Sequence, residues 1–442
     1  MNSTELRKQH PQFIYEGYTW KLEKRGLSIS FSFSVPPDIQ FHPTLLIEGV
    51  TEDHLKRVGE ETLENFIFHL GLIETLSYWK AACSPEIVVQ TGYLSKDQIR
   101  WWKQLILKGM GEYFYQNKIN FTQPNFLTIT SLPISSKPGS GDIPLPKPGL
   151  STKVLVPIGG GKDAIVTLET LKRANVNVLP FVLNPKPEQE NILKAAKEKN
   201  AVIVRRSIDP KLLELNRKGY INGHTPFSAY LAFLSVFCAA LFDCGFVALS
   251  NERSSNEGNR KYRGKEINHQ YSKSFDFEKR FRAYAKAYLA KNVEYFSFLR
   301  PLYELQIAKL FAQYPKYFPV FLSCNEAYKT ASGKRKTAGT WCGKCPKCLF
   351  VFLALYPFLG EQQTVGIFKK NLLKDKKLRP LLDEILGKKR FKPFECVGTI
   401  AESRVALSLC KGEIMNHPLL GAWNTKHFLP PQFEKILREL VG

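Results

Sequence analysis

The feature that most constrains the fold is an alternation of apolar strand, turn and helix that begins at about residue 151. Apolar runs short enough for buried strands are separated by segments with helical periodicity. Because apolar strands joined by helices pair in the same direction, the pattern predicts an α/β fold with a doubly wound parallel sheet. The predicted strands are KVLVPI (153–158), VNVLPFVLN (176–184), AVIVRR (201–206) and FVALSN (246–251), and the predicted helices begin at Asp163, at about 188 and at Phe227.

The chain before residue 151 has a different pattern. Residues 13–35 alternate apolar and polar side chains, which predicts two half-buried strands that turn near Arg25 and Gly26. Residues 60–118 are interpreted as amphipathic helices, and the proline- and glycine-rich stretch ISSKPGSGDIPLPKPG (134–149) is typical of a linker. The predicted divisions are an N-terminal α+β accessory domain (1–134), a linker (135–150), a catalytic domain (151–360) and a mainly helical C-terminal extension (361–442).

Composition excludes several classes of protein. With 442 residues, 44% hydrophobic and 23% charged, the chain is predicted to be folded and soluble rather than fibrous or disordered. The longest apolar stretch, Phe227 to Phe242, is shorter than the roughly 20 residues of a membrane-spanning helix, and the N-terminus lacks the apolar core of a signal peptide. We therefore expect a cytoplasmic protein without a membrane partner.

The net charge of +23 predicts a polyanionic partner. RNA, an anionic membrane surface and a substrate with several phosphates all fit this charge. Much of it lies in tracts such as 369–379 and 387–392, which are typical of solvated helical faces. Charge alone does not choose among the three.

A glycine-rich turn joins the first predicted strand of the parallel sheet to its first helix, in LVPIGGGKDAIVTLE (155–169). Ligands of open α/β sheets bind at this edge. Successive N–H groups of Gly159, Gly160 and Gly161, with a helix N-terminus behind them, favour binding of phosphate. The sequence is neither a Walker A loop nor a dinucleotide-binding Gly-x-Gly-x-x-Gly turn.

The stretch GGGKD resembles the pyrophosphate loop of the ATP-pyrophosphatase superfamily, also called adenine-nucleotide α-hydrolase-like, whose usual form is Ser-Gly-Gly-x-Asp-Ser. These enzymes cleave ATP between its α and β phosphates and activate a carboxylate or carbonyl as an adenylate. Gly159 and Ala164 stand where the superfamily usually has hydroxyl groups. The resemblance implies that ATP contacts this turn and the segment after the fourth predicted strand. The assigned ATP-binding residues are Gly159, Gly160, Gly161, Lys162, Asp163, Asn251 and Arg253.

Six further motifs lie along most of the chain. They are INGHTPFSAY (221–230), SNERSSNEGN (250–259), NHQYSKSFDFEKRFRAY (268–284), SCNEAYK (323–329), WCGKCPKCLFVFLALYPF (341–358) and KPFECVGT (392–399). Together they resemble one family, the ATP-dependent epimerases of UDP-N-acetylmuramoyl-L-alanyl-L-glutamate. The resemblance implies a UDP-linked muramoyl dipeptide as substrate, with ATP and Mg²⁺ as cofactors. Adenylation would remove the charge of the glutamyl carboxylate, after which a base removes the α-proton and an acid returns one on the opposite face.

Catalytic residues follow from these motifs as candidates. We assign His269, Lys273 and Glu252 to catalysis, with His269 as the first residue to mutate, and Asp163 and Glu252 to Mg²⁺. Other candidates for proton transfer are Tyr271, His224, Glu395 and Cys396, although nothing in the sequence indicates a lowered pKa for the Cys396 thiol. The cations expected to screen the substrate phosphates are Arg253, Lys265, Lys273 and Arg282.

Nine cysteines, an odd number, favour metal or thiolate chemistry over a disulfide framework. Cys342, Cys345 and Cys348 are spaced by two residues, and Cys324 follows a further predicted strand. Together the four thiolates predict a tetrahedral structural zinc site, with an iron–sulfur cluster as the alternative. The set also resembles the zinc knuckle of the superfamily's 7-cyano-7-deazaguanine synthases.

Two other functions remain open at this point. The tRNA-thiolating members of the same superfamily combine such a loop with basic charge and, in some cases, a cysteine-bound cluster. A zinc-stabilised nucleic-acid-binding protein without catalysis is the other alternative. No separate RNA-binding module is recognisable in the first 134 residues, so nucleic acid is not the expected partner. The oligomeric state does not follow from the sequence.

Overall fold

The computed structural model of the chain describes residues 2–133, 151–328, 339–389 and 391–441. The predicted linker at 135–150 lies outside the described residues.

Strands of one large mixed sheet form the centre of the described structure, and most of its strand pairs are parallel. The strands are β1 (Gln12–Glu23), β2 (Gly26–Val35), β3 (Ile39–Phe41), β4 (Thr44–Glu48), β5 (Glu86–Val89), β6 (Thr128–Ser131), β7 (Val154–Pro157), β8 (Val178–Leu183), β9 (Val202–Ser207), β10 (Phe246–Leu249), β11 (Arg260–Tyr262), β12 (Lys265–Ile267) and β13 (Glu294–Ser297). The sheet order is β13-β10-β7-β8-β9-β4-β2-β1-β5-β6, β3 pairs with β2, and β11 and β12 form a separate hairpin.

Helices connect and cover these strands. The α-helices are α1 (Ser3–Gln9), α2 (Glu52–Val58), α3 (Glu60–Trp79), α4 (Lys96–Gly109), α5 (Gly111–Gln116), α6 (Lys162–Arg173), α7 (Pro187–Ala195), α8 (Pro210–Arg217), α9 (Phe227–Leu241), α10 (Phe275–Tyr288), α11 (Glu304–Phe311), α12 (Asn325–Tyr328), α13 (Pro346–Phe368), α14 (Arg379–Ile385), α15 (Ile400–Cys410) and α16 (Pro431–Val441). Short 3-10 helices cover Arg253–Asn256, Tyr271–Lys273, Pro315–Tyr317, Lys376–Leu378 and Pro418–Gly421.

The parallel part of the sheet confirms the predicted α/β class. Strands β7, β8, β9 and β10 lie within the predicted apolar runs, and β13 is a further strand that the sequence pattern did not indicate. In spatial order these five strands are β9, β8, β7, β10 and β13, so the chain reverses direction across the sheet after β9. Such a reversal opens a crevice between β7 and β10, at the carboxyl ends of the strands.

The N-terminal strands continue the same sheet. Strands β1 and β2 form the predicted hairpin, in which Glu23 pairs with Gly26 across the turn. Strand β4 pairs antiparallel with β9, with Ile47 opposite Val204, so the sheet runs unbroken from the N-terminal strands into the parallel strands.

The interpretation of residues 60–118 as amphipathic helices was wrong in two respects. Helix α3 is buried along nearly its whole length, because it packs between strand β1 on one side and helix α9 on another. Strand β5 separates α3 from the amphipathic helix α4 and pairs parallel with β1. A helix that is apolar on all faces is typical of a core position.

Among the described residues, α13 is the one helix with the length and hydropathy of a membrane span. Half of its most apolar window is buried within the protein. The helix also breaks at Gly360, whose φ of 72° lies outside the helical region. These features are typical of a core helix.

Candidate active site

Three acidic side chains meet at the crevice between β7 and β10. Asp163 follows β7, Glu252 follows β10 and Glu304 follows β13, and one carboxylate oxygen of each lies within 4.8 Å of the other two. Lys162 lies buried between Asp163 and Glu304 and forms an ion pair with each. Lys347 Nζ lies 3.4 Å from a Glu304 oxygen. Carboxylate oxygens at this spacing could hold a hard divalent cation such as Mg²⁺.

Burial and neighbouring charges shift the pKa values of two of these carboxylates in opposite directions. Burial raises the pKa of Glu252 to about 7, and the charge of Glu304 adds to this effect. Burial also opposes ionisation of Glu304, but the ammonium groups of Lys162 and Lys347 outweigh it and lower the pKa of that carboxyl. Glu304 is therefore the firmly ionised member, and a cation at the site would ionise Glu252 as well.

The glycine turn beside these carboxylates has an open face. A Cβ added at Gly159 would meet no atom within 4 Å, and a Cβ at Gly161 would approach Ser323 Cβ to 3.3 Å. Gly160 has a φ of 92°, and its carbonyl accepts a hydrogen bond of 2.8 Å from the N–H of Leu322. Within the described residues, the N–H groups of the three glycines donate no hydrogen bond, so the turn presents free donors to the crevice.

The predicted cysteine site lies against the other side of this turn. The Sγ atoms of Cys345 and Cys348 are 3.5 Å apart, those of Cys342 and Cys348 3.6 Å, and those of Cys324 and Cys345 4.0 Å. A tetrahedral ion with Zn–S bonds of about 2.3 Å requires sulfur separations of about 3.8 Å. An iron–sulfur cluster holds thiolates farther apart, because iron and sulfide atoms lie between them. The geometry therefore fits a single tetrahedral ion.

This cysteine site also positions an active-site cation. Cys345 caps the N-terminus of α13. Lys347 lies in the first turn of that helix and stands between Cys345 and Cys348 in the sequence. The expectation that Cys324 follows a strand was wrong. Residues 321–324 pair with no strand, and Leu322 instead bonds to the glycine turn.

A second cluster of ionisable groups surrounds Cys396. Lys273 Nζ lies 3.5 Å from Cys396 Sγ, and the imidazole of His269 forms a hydrogen bond with the same sulfur. On its other side, His269 Nδ1 contacts a carboxylate oxygen of Glu112 in α5. The ring of His224 lies 4.4 Å, centroid to centroid, from the ring of His269. The structure thus joins two candidates, His224 and Cys396, to the segment that carries His269 and Lys273.

Opposing charges shift these groups strongly. Burial raises the pKa of the Cys396 thiol, but the Lys273 ammonium and the His269 imidazolium outweigh burial and lower it to about 6. Burial lowers the pKa of His269, but hydrogen bonds to Cys396 and Glu112 outweigh that effect and raise it to about 10. At neutral pH the pair is therefore a thiolate and an imidazolium. Burial and the neighbouring charge of His269 lower the pKa of His224, so that ring is neutral.

Asn259 and Lys392 hold the Cys396 loop over the cluster. The Asn259 side chain donates 2.6 Å to the carbonyl of Pro393 and accepts 2.8 Å from the N–H of His269. Lys392 Nζ lies 3.2 Å from Glu257. One asparagine therefore fixes both the loop and the backbone of His269.

Arg300 is a buried positioning residue that sequence reasoning missed. It has 0% exposed side chain and pairs with Glu278 at 3.0 Å. Its other nitrogens donate 2.6 Å to the carbonyl of Glu252 and 2.5 Å to that of Lys273. Arg300 thus fixes the backbone at one residue of each cluster, Glu252 and Lys273. Its only sequence signal is the position just after β13, and that strand was not predicted.

Two predicted ATP ligands, Asn251 and Arg253, have side chains that contact other protein groups. Asn251 donates its amide to Ser297 Oγ at 3.2 Å, which ties it to the end of β13. Arg253 stacks over the ring of Tyr303 at 4.4 Å and borders a cavity of about 410 Å³.

Three other candidates lie outside both clusters. Tyr271 donates 2.9 Å to Asp276 and, with the exposed Lys265, borders a separate cavity of about 590 Å³. Arg282 is occupied in an ion pair of 2.9 Å with Glu294.

An α/β fold with buried acid–base groups at the carboxyl edge of its parallel strands defines this protein as an enzyme. The MurL N-terminal domain model matches residues 4–298, and the MurL C-terminal domain model matches residues 320–427. The chain belongs to the MurL family, as its motifs predicted.

Curated relatives agree with this assignment. A protein from a Micromonospora species named UDP-N-acetyl-alpha-D-muramoyl-L-alanyl-L-glutamate epimerase is 39% identical over 413 residues, covering 92% of this chain and 88% of that protein. A Salinispora tropica protein of the same name is 38% identical over 412 residues, covering 92% of this chain and 86% of its own length. The Xanthomonas oryzae protein of that name is 35% identical over 343 residues, covering 77% and 73%.

Proposed function

We propose that this protein converts the terminal L-Glu of UDP-N-acetylmuramoyl-L-Ala-L-Glu to D-Glu in peptidoglycan precursor synthesis, by an ATP-dependent route through an acyl-adenylate. The printed names of relatives that cover most of the chain support the substrate and the epimerisation. Membership of this family favours epimerisation over the tRNA-thiolating and nucleic-acid-binding alternatives. The multiply phosphorylated substrates account for the charge of +23 without nucleic acid.

One observation carries the ATP-dependent part of the proposal, namely the open glycine turn beside three converging carboxylates. The free N–H groups of Gly159, Gly160 and Gly161 would hold the β and γ phosphates, as in the ATP-pyrophosphatase fold. Asp163, Glu252 and Glu304 fit an oxygen-coordinated Mg²⁺, which would neutralise phosphate charge when bound.

Adenylation explains why an epimerase needs ATP. Removal of the α-proton from a free glutamate would place a second negative charge beside the carboxylate. Conversion of that carboxylate to an acyl-adenylate removes its charge and lets the carbonyl oxygen accept the electron pair. Lys347, which is held beside Glu304, would stabilise charge on the transferred group. Hydrolysis of the adenylate then releases AMP and the D-glutamyl product.

The cysteine site is proposed to hold structural zinc. The sulfur separations of 3.5 to 4.0 Å support one tetrahedral ion rather than an iron–sulfur cluster. The ion would fix Lys347 and the segment that braces the glycine turn.

We propose a cytoplasmic location, where this ATP-dependent substrate chemistry takes place.

A solvent-exchange assay tests the function directly. Purified protein is incubated in deuterated water with ATP, Mg²⁺ and UDP-N-acetylmuramoyl-L-Ala-L-Glu. We expect release of AMP and pyrophosphate together with deuterium at the glutamyl α-carbon and formation of the D-Glu product. Deuterium incorporation without ATP would refute the adenylate, and ATP cleavage that requires tRNA instead would favour the thiolating alternative.

Gly159→Ala tests the phosphate site separately. The added methyl group meets no protein atom, so the fold should be unaffected, but it occupies the space proposed for phosphate. We expect AMP release to fall at least tenfold with unchanged thermal stability. Gly366→Ala is the matched control, because its added Cβ also meets nothing within 4 Å and lies far along α13. Equal activity of the two variants would contradict the assignment of the turn.

A further inference from the structure

We propose that Cys396 is the base that removes the α-proton of the adenylated glutamyl group, a role that rests on the proposed function. The thiol belongs to the loop between α14 and α15, remote in sequence from the other candidates. Its sulfur is held by Lys273 at 3.5 Å and by a hydrogen bond to His269. Two cations on one sulfur hold it as a thiolate, the nucleophilic and basic form of cysteine.

Two members of the cluster, His269 and Lys273, have no free electron pair for this step. His269 lies between two acceptors, the Glu112 carboxylate and the Cys396 sulfur, so both ring nitrogens carry protons. Lys273 faces the thiolate and Glu252, and the charges of both keep its ammonium protonated. His269 and Lys273 are therefore positioning residues that maintain the thiolate, rather than the bases that their residue types suggested.

Other charged groups face the cluster and agree with this assignment. Lys347 also lowers the pKa of Cys396, and Lys80 and Lys273 both act to keep His224 neutral. His224 Nδ1 is buried, forms no hydrogen bond with the residues that the structure describes, and lies 3.9 Å from Glu112. Lys273, His269 and Lys347 therefore all favour a thiolate at Cys396.

The location of Cys396 suits the reaction order. Lys273 and Lys347 each influence both Cys396 and the carboxylates at the glycine turn, so the two clusters are neighbours across these ammonium groups. The carboxyl group that is adenylated must lie at the α phosphate, beside Asp163 and Glu252. The α-carbon is directly bonded to that carboxyl group, so its proton lies next to the phosphate site.

The proposed step is balanced in atoms and electrons. The α C–H bond breaks, its proton forms an S–H bond with Cys396, and its electron pair moves into the acyl carbonyl to give an enolate. The enolate then takes a proton on its opposite face from a water molecule as the carbonyl re-forms. The thiol returns its proton to the resulting hydroxide through solvent, so no net proton is consumed.

Cys396→Ser separates this step from adenylation. Serine keeps the size of the side chain but is not ionised at neutral pH. We expect the variant to release AMP and pyrophosphate at a rate near that of the wild type, while deuterium exchange at the α-carbon falls about 10²- to 10⁴-fold, the usual contribution of a positioned base. Cys410→Ser is the matched control, because Cys410 is also half-buried but its thiol lies 3.6 Å from the Leu353 carbonyl instead of beside cations.

Thiol alkylation gives a readout that does not depend on turnover. In the native protein at pH 7, iodoacetamide should modify Cys396 much faster than Cys410, whose pKa burial raises to about 12. Peptide mapping by mass spectrometry measures both rates. Slower alkylation of Cys396 than of Cys410 would overturn the thiolate.

The outcomes are distinguishable from failure of the proposed function. If the wild type releases no AMP with this substrate, the proposed function fails. If Cys396→Ser exchanges deuterium at the wild-type rate, or loses AMP release together with exchange, the function stands and the assignment of Cys396 as base is overturned.

Discussion

Replacement of Arg300 by methionine tests whether one buried guanidinium holds the two clusters together. Arg300 and Glu278 have 0% and 1% exposed side chains. Removal of one partner of a buried ion pair costs about 3–5 kcal/mol, since the other charge is left without compensation. Arg300→Met also removes the donors to the carbonyls of Glu252 and Lys273, which each cost about 1 kcal/mol when buried. We expect the free energy of unfolding to fall by at least about 4 kcal/mol.

The double variant Arg300→Met/Glu278→Leu distinguishes charge burial from loss of packing. It removes the orphaned carboxylate, but it leaves the Ser297 N–H, which donates 2.8 Å to Glu278, without its acceptor. We expect the double variant to recover about 2 kcal/mol of the loss. Arg100→Met is the control, because the pair of Arg100 with Asp97 is 73% exposed on both sides and contributes less than about 1 kcal/mol.

Urea unfolding monitored by tryptophan fluorescence measures these free energies, and deuterium exchange measures the effect on the site. A loss below about 1 kcal/mol in Arg300→Met, or a double variant less stable than the single one, would refute the reasoning. Deuterium exchange in a second variant tests the same reasoning at the level of activity. Arg300→Lys keeps a charge but has one nitrogen for several acceptors, so we expect slower deuterium exchange even at temperatures where this variant is fully folded.

Three further predictions concern the thiolate, the zinc site and the glycine turn. Deuterium exchange should increase as pH rises through about 6, where Cys396 deprotonates. In pH profiles, His269→Gln should move this rise to higher pH by about one to two units, because the variant lacks a cation that favours the thiolate. Cys345→Ser should abolish bound zinc, measured by atomic absorption, and lower the free energy of unfolding by several kcal/mol. Gly160→Ala should cost roughly 1–2 kcal/mol in urea unfolding, since its φ of 92° is left-handed.

Local patterns in the sequence predicted one part of the site. Strand β7, the glycine turn and α6 follow from an apolar run, consecutive glycines and a helical period, all of which act over a few residues. The spacing of Cys342, Cys345 and Cys348 is likewise local, because the first turn of α13 brings Cys345 and Cys348 together and Cys342 lies in the short loop before it. Asp163 was therefore predictable as a residue of the crevice.

Residues that depend on distant contacts were not predictable. Glu112 contacts His269 across 157 positions in the chain, and no short pattern marks such a pair. Glu304 was missed because β13 has the sequence EYFS, in which Glu294 and Ser297 interrupt the continuous apolar run that marks β7 and β10. A reading of residues 294–311 as strand, turn and helix would have placed Glu304 at the same edge as Asp163. The low pKa of Cys396 arises from Lys273 and His269, which reach it only through the fold.

The two parts of the chain matched by the N-terminal and C-terminal family models both contribute residues to each cluster. The carboxylate cluster consists of Asp163, Glu252 and Glu304. One of its cations, Lys347, comes from the part matched by the C-terminal family model. Cys396 comes from the same part, whereas Lys273 and His269, two of the groups that ionise it, come from the part matched by the N-terminal family model. Buried Glu402 joins the two parts, because it accepts hydrogen bonds from Ser254 at 2.6 Å and from the N–H of Leu305 at 3.0 Å. Since neither part holds a complete set of groups, the proposed adenylation and the proposed proton transfer both require the two parts to be packed together.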